Sequence, residues 1–164
     1  MPQRGRKRFP VAGAAGLVWA FTVLWVGRQI NVPIAMIQPV LMGALFAPGL
    51  VLAAMIGRIA LRRVFDQTLI EGQRPPPGTA ADVDARALQN TIEQLVLALC
   101  IWPLVGFSLG AGMVLALGLG FAVARVIFWI GYQRSPALRI FGFGASFYPT
   151  VLAGLWVLAR LVTG

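Results

Sequence analysis

The sequence predicts an all-α integral membrane helical bundle of five spans, and three observations carry that reading. Hydrophobic residues make up 59% of the 164-residue chain against 12% charged, too little polar surface to coat a soluble domain of this size. Five apolar stretches reach about 20 residues each, the length that crosses roughly 30 Å of hydrocarbon. The basic residues stand at the edges of those stretches rather than on a polar face, which excludes a nucleic-acid binder despite a formal net charge of +9.

The first stretch, residues 11–30, follows Arg4, Arg6, Lys7 and Arg8. It reads as an uncleaved signal anchor, because no small-x-small cleavage site comes after it. The second, 39–61, contains Pro48-Gly49, and a proline that removes a backbone donor is expected to kink the helix near its middle. Arg58, Arg62 and Arg63 mark its end. Residues 64–85 form the only sizeable polar loop, with Asp66, Glu71, Arg74 and the stiff run Pro75-Pro76-Pro77. Thr79 or Asp82 is placed to cap the third helix, and Asp82 and Asp84 suit its positive end. That helix runs to about Phe107 with Pro103 inside it. A short turn at 108–112 leads into a fourth helix ending near Tyr132. At the next turn, 133–136, Ser135 is a candidate cap and Pro136 fits the first position of a fifth helix ending near Val162.

Counting bases loop by loop puts the amino terminus, the 64–85 loop and the 133–139 turn on one side, while the connections at 31–38 and 108–112 carry none. The expectation is a multi-pass protein of the cell membrane with its amino terminus cytoplasmic and its carboxyl terminus outside. Arg28 and Arg160 are exceptions near the outer ends, where long side chains snorkel to membrane-lipid headgroups. Gly112, Ala116, Gly120 and Ala124 place small residues every four positions on the fourth helix, a face for close helix packing within one chain or between subunits. With no histidine and a single cysteine, Cys100, no metal site is expected; Cys100 is read as a packing residue.

Chemistry must come from polar residues inside the spans, where a charge is costly. Arg86, Asn90 and Glu93 are spaced by four and three, so they share one helical face near the arginine-rich end. Arg125, seven residues before Tyr132, lies at a similar depth to Glu93, and the two form the expected ion pair, either functional or only neutralising. Arg139 falls in the first turn of the fifth helix, where the dipole favours anions. Either a lipid phosphate or an anionic cosubstrate answers it.

Arg86-Ala87-Leu88-Gln89-Asn90-Thr91-Ile92-Glu93 is similar to an Arg-x-x-x-Asn-x-x-Glu signature. The segments 121–125 and 131–139, with Gly131-Tyr132 and the later Arg139, match a helix end and turn of the same family. By these motifs the chain resembles the membrane-associated proteins in eicosanoid and glutathione metabolism (MAPEG), which include microsomal glutathione transferases and leukotriene C4 synthase. The resemblance implies a four-helix core at 39–164, with 1–38 added as a basic tail and an extra N-terminal transmembrane helix. It implies a homotrimer with glutathione as cosubstrate, bound between subunits near the cytoplasmic face, and a hydrophobic small-molecule substrate. Arg86, Gln89, Asn90, Glu93, Tyr132 and Arg134 would hold glutathione, and Arg139 would be the catalytic residue that stabilises its thiolate.

Two departures stand beside the match. Phe128 occupies a position where several members carry a tyrosine, and Pro103 lies farther beyond Glu93 than the usual proline. Two other classes compete: a non-catalytic membrane protein of the same fold that binds a lipid or protein partner, and a proton-coupled exporter using Glu93. The exporter fits poorly, because Glu93 shares its face with Arg86 and Asn90.

Overall fold

The computed structural model describes residues 8–65 and 72–164 and consists of five long helices, each apolar enough to cross a membrane. They are α1 (Arg8–Gln29), α2 (Ile37–Phe65), α3 (Ala80–Leu109), α4 (Ala111–Arg134) and α5 (Pro136–Thr163), with a single 3-10 turn at Ile34–Met36 before α2. No strand occurs among the described residues. The basic tail ahead of α1 and the part of the loop at 66–71 lie outside the described residues.

Local chemistry sets the helix ends. Thr79 caps α3, its hydroxyl accepting from the Asp82 N–H at 3.2 Å, while the Asp82 carboxylate accepts from the Gly78 N–H at 2.9 Å. Gly110, at φ 98°, is the whole link between α3 and α4; only glycine takes that conformation without strain, which is why the hairpin closes in one residue. Pro136 opens α5 as expected. Ser135 precedes it, but its hydroxyl makes no capping bond; its carbonyl accepts from the Arg139 N–H instead. α2 continues through Pro48, which is buried.

α4 is the centre of the bundle and touches all four other helices. Its burial follows from its composition. An added Cβ on Gly118 would overlap the Ala44 carbonyl of α2, and one on Gly142 of α5 would lie 2.5 Å from the Phe128 backbone nitrogen of α4. The small-residue stripe receives α1 and the residue just past its end: Gly112 abuts Ile30, Ala116 faces Gly27, and Gly120 faces Val23. Of the two possibilities open for this stripe, contact within one chain is the one found. Most large apolar side chains of α4 are buried, and those it exposes, Leu119, Val123, Val126 and Ile130, lie along one seam.

At the end away from the arginines, the core is Trp102, fully buried, edge-on to Phe121 and donating to the Thr150 hydroxyl at 3.3 Å. There Arg160 donates to the Ser108 carbonyl at 3.2 Å, and Arg28 lies over the Trp156 ring at 5.3 Å. Both guanidinium groups therefore have protein partners besides any headgroup. Cys100 is not a core residue: it is exposed and lines an apolar groove of about 300 Å³ between α3 and α5.

Candidate functional site

The arginine-rich end is held together by Asp84, one of the few buried charged residues. Its Oδ2 accepts from Arg58 Nε at 2.9 Å and Arg62 Nε at 2.8 Å, both from α2. Its Oδ1 accepts from Trp129 Nε1 at 3.1 Å and Gln133 Nε2 at 3.3 Å, both from α4. One carboxylate thus joins three helices, and four donors offset its loss of hydration. The sequence reading treated Asp84 only as an acid suited to the start of a helix. The signal that finds it is the i,i+4 pairing of Arg58 with Arg62 and of Trp129 with Gln133, each at the matching end of its own helix.

Arg125 is wholly buried in α4. Its Nη1 donates to Asn90 Oδ1 at 2.9 Å and reaches Thr91 Oγ1 at 3.5 Å. Its Nη2 donates to Ser146 Oγ at 2.7 Å and the Gly142 carbonyl at 3.4 Å. The Phe128 ring lies 4.0 Å beneath the guanidinium. The ion pair expected between Glu93 and Arg125 is therefore not formed. Thr91, which faces Arg125, and Glu93 are two residues apart, about 200° around a helix, so Glu93 turns outward. It is exposed and accepts from Gln89 Nε2 at 3.0 Å. Depth was matched within one turn; the face was wrong. Phe128, where a tyrosine would have supplied a hydroxyl, is buried as the platform of this cation.

On the outer side of α3, Arg86, Gln89, Asn90 and Glu93 line one groove of about 740 Å³, walled opposite by Arg74 and the Pro75-Pro76-Pro77 run. Arg86 is fixed by Asp82 in a two-point contact, Nε to Oδ1 at 3.0 Å and Nη2 to Oδ2 at 3.0 Å. Asn90 belongs to both the groove and the buried network. Because its Oδ1 accepts from Arg125, the amide N–H groups are what Asn90 has left to donate to a ligand.

Tyr132, Arg134 and Arg139 do not line that groove. They sit at the α4–α5 elbow, where the Arg139 guanidinium stacks over the Tyr132 ring at 5.0 Å and Tyr132 meets Phe128 edge-on. Gly131 makes the elbow possible, since a Cβ there would strike the Arg139 backbone nitrogen. Arg134 is exposed in the last turn of α4. Within one chain the seven candidate residues fall into two groups, four in the groove and three at the elbow. Among the described residues no cluster suits a metal ion.

These features define a multi-pass membrane protein whose polar residues gather at one end of a tightly packed helical core. The chain belongs to the MAPEG family, whose family model matches residues 39–161. No curated protein and no solved structure gives a significant match. The family match starts within α2 and leaves α1 outside it.

Proposed function

We propose that the protein is a membrane-bound, glutathione-dependent transferase or peroxidase acting on a hydrophobic electrophile. Glutathione would bind between subunits of a homotrimer at the arginine-rich, cytoplasmic face. The observation that carries this reading is the α3 groove: Arg86, Gln89, Asn90 and Glu93 present two charges and two amides outward from a membrane helix. Lipid does not stabilise such a face, whereas a charged peptide and a neighbouring subunit do. Arg86, held by Asp82, offers a planar fork for a carboxylate of the peptide, and Glu93 offers an acceptor for its ammonium group.

The elbow suits the reacting end. A thiol with an ordinary pKa of about 8.5 is mostly protonated at neutral pH, and a fixed guanidinium beside it favours the thiolate that attacks an electrophile or peroxide. Arg139 supplies such a guanidinium and Tyr132 a hydroxyl beside it. In a transferase the sulfur lone pair forms the new bond as the electrophile's leaving group departs with its electrons. In a peroxidase the thiolate attacks the peroxide oxygen and expels an alcohol after proton uptake; a second glutathione then resolves the sulfenic acid to a disulfide and water. The groove and the elbow are separate in one chain, so a site spanning subunits accounts for both.

The second reading, a non-catalytic protein of the same fold that binds a lipid or protein partner, draws on Phe128, whose ring cannot donate a hydroxyl to the peptide. Calorimetric titration of glutathione into the detergent-purified protein separates the two. The enzyme reading expects a binding signal that Arg86→Ala removes; no signal from the wild type, with no thiol conjugation, leaves the second reading.

A further inference from the structure

α1 and α5 run side by side in the same direction. Gly16 meets Gly144, where an added Cβ would lie 3.3 Å from the Gly144 backbone, and further along Arg28 lies over the Trp156 ring at 5.3 Å. Between those points the close contacts of α1 pass to α4, with Val23 on Gly120 and Gly27 on Met113. There a groove of about 330 Å³ opens between α1 and α5. Phe21, Leu24, Trp25 and Arg28 line it from α1, and Leu152 and Trp156 from α5. It lies at the end away from the Asp84 hub, and the α1 wall is outside the family match.

The lining is ordered along the membrane normal. Phe21, Leu24, Trp25 and Arg28 share one helical face by their spacing, and from Phe21 to Arg28 the helix rises about 10 Å, less than the roughly 15 Å of hydrocarbon in one leaflet. Leu24 is the buried floor, and Phe21 and Trp25 are exposed. The groove therefore passes from Phe21 and Leu152, toward the bilayer centre, to two indoles and a guanidinium at the helix end. Tryptophan and arginine at the rim of an apolar channel match the glycerol and phosphate level of a lipid.

Charge selects among lipids. All five acidic side chains lie between positions 66 and 93, so α1, α4 and α5 carry none. Among the described residues the partner of the Arg28 guanidinium is the Trp156 ring. Stacking uses a face of the guanidinium and leaves its in-plane N–H donors for an acceptor from outside the chain. Arg160, the other arginine at this end, donates to the Ser108 carbonyl and is not part of the groove.

We propose that this groove binds an anionic glycerophospholipid of the leaflet at the end away from the Asp84 hub. Its phosphate accepts from Arg28, and the upper part of an acyl chain lies along Phe21, Leu24 and Leu152. Stacking on Trp156 holds the guanidinium in place before the phosphate arrives, which favours one bound lipid over diffuse attraction. The added helix thereby gains a role of its own, a lipid seat that does not depend on the glutathione reading.

Native mass spectrometry of the detergent-purified protein, given equal amounts of phosphatidylglycerol and phosphatidylcholine with matched chains, tests it. The wild type should retain at least one more phosphatidylglycerol than phosphatidylcholine per chain. Arg28→Gln should lower the retained phosphatidylglycerol by one per chain, whereas Arg160→Gln, which removes the same charge at the same end, should leave the count unchanged. Leu152→Trp, which fills the groove and keeps Arg28, should lose the same lipid while thermal unfolding stays as in the wild type. If Arg28→Gln does not fold, Leu152→Trp decides alone. Equal uptake of the two lipids by the wild type overturns the proposal, as does an undiminished count in Leu152→Trp. Equal losses in Arg28→Gln and Arg160→Gln also overturn it, because the attraction is then diffuse. So does displacement of that lipid by millimolar inorganic phosphate, which would make the groove a small-anion site.

Discussion

Arg125, at the centre of the bundle, donates to Asn90 Oδ1 at 2.9 Å, so a wholly buried cation fixes the side chain of a residue that lines the outer groove. Among the described residues the cation has no carboxylate partner; the Asn90, Thr91, Ser146 and Gly142 oxygens and the Phe128 ring take that place. Core stability and the candidate site therefore meet at one hydrogen bond.

The first prediction follows from that bond. Arg125→Met keeps much of the volume but leaves several buried acceptors without a donor, each costing about 1–3 kcal/mol. Thermal unfolding in detergent should show a loss of that order or more. In double-mutant cycles Arg125 should couple to Asn90 and Ser146 by about 1 kcal/mol or more, and to Glu93 by less than about 0.5. Stronger coupling to Glu93 than to Asn90 would contradict the geometry.

Asp84 supports a second prediction. Asp84→Asn retains the shape but removes the charge that Arg58 and Arg62 share. Breaking a buried pair costs about 3–5 kcal/mol, and the partial exposure of both arginines lowers the expectation to about 2–3. Asp84→Asn should unfold at distinctly lower temperature, while Asp82→Asn, whose hydrogen bonds to Gly78 and Arg86 are solvent-exposed, should shift the unfolding temperature far less. Equal effects of the two would show that Asp84 is not the hub.

Close approaches of the helices give a third. Gly118→Val puts a branched side chain where the Ala44 carbonyl lies, and Gly142→Ala puts a methyl group against the Phe128 backbone. Backbone cannot yield as a flexible side chain does, so both should sharply reduce the yield of folded protein. Gly43→Ala, whose Cβ would meet nothing within 4 Å, is the control and should behave as wild type. Normal expression and melting of Gly118→Val would mean that α2 and α4 are farther apart than described.

What could be read from the sequence was what is local. The five spans, the Thr79 cap, the Pro136 start and the depth of Arg125 depend on spacing along one helix, and they agree with the structure. The α4 stripe of Gly112, Ala116 and Gly120 was visible, but its partner was not, because small residues announce a close approach without naming the helix that makes it. The Glu93–Arg125 pair failed for the same reason: depth comes from counting, while the facing side depends on how α3 is turned against α4. The apolar run around Cys100 suggests a packing residue, but which side of α3 faces α4 and α5 is set by tertiary packing, and Cys100 is exposed. Asp84 was missed because its four donors come from two other helices.

The last prediction concerns the elbow and rests on the glutathione reading. Arg139 stands in the first turn of α5, where the helix dipole disfavours a cation, yet it is held there by the Tyr132 ring at 5.0 Å. An anion drawn to that end therefore meets both the dipole and the guanidinium. If that anion is the thiolate, Arg139→Ala should weaken glutathione binding only modestly while kcat/KM for a chloronitrobenzene falls by about 10²-fold, the scale of a lost charge-stabilising contact. The apparent pKa of the bound thiol should rise toward its free value. Arg139→Lys should recover part of the rate, since a point charge replaces the planar fork. Tyr132→Phe keeps the stack and removes the hydroxyl, whereas Tyr132→Ala removes both. A rate loss confined to Tyr132→Ala would give the ring a positioning role, while a loss shared by both would give the hydroxyl a direct one. Stopped-flow measurement of thiolate absorbance on mixing with glutathione reads the ionisation directly. If Arg139→Ala binds no glutathione at all, Arg139 recognises the peptide rather than activating its sulfur. If it turns over at the wild-type rate with an unshifted thiol pKa, it has neither role.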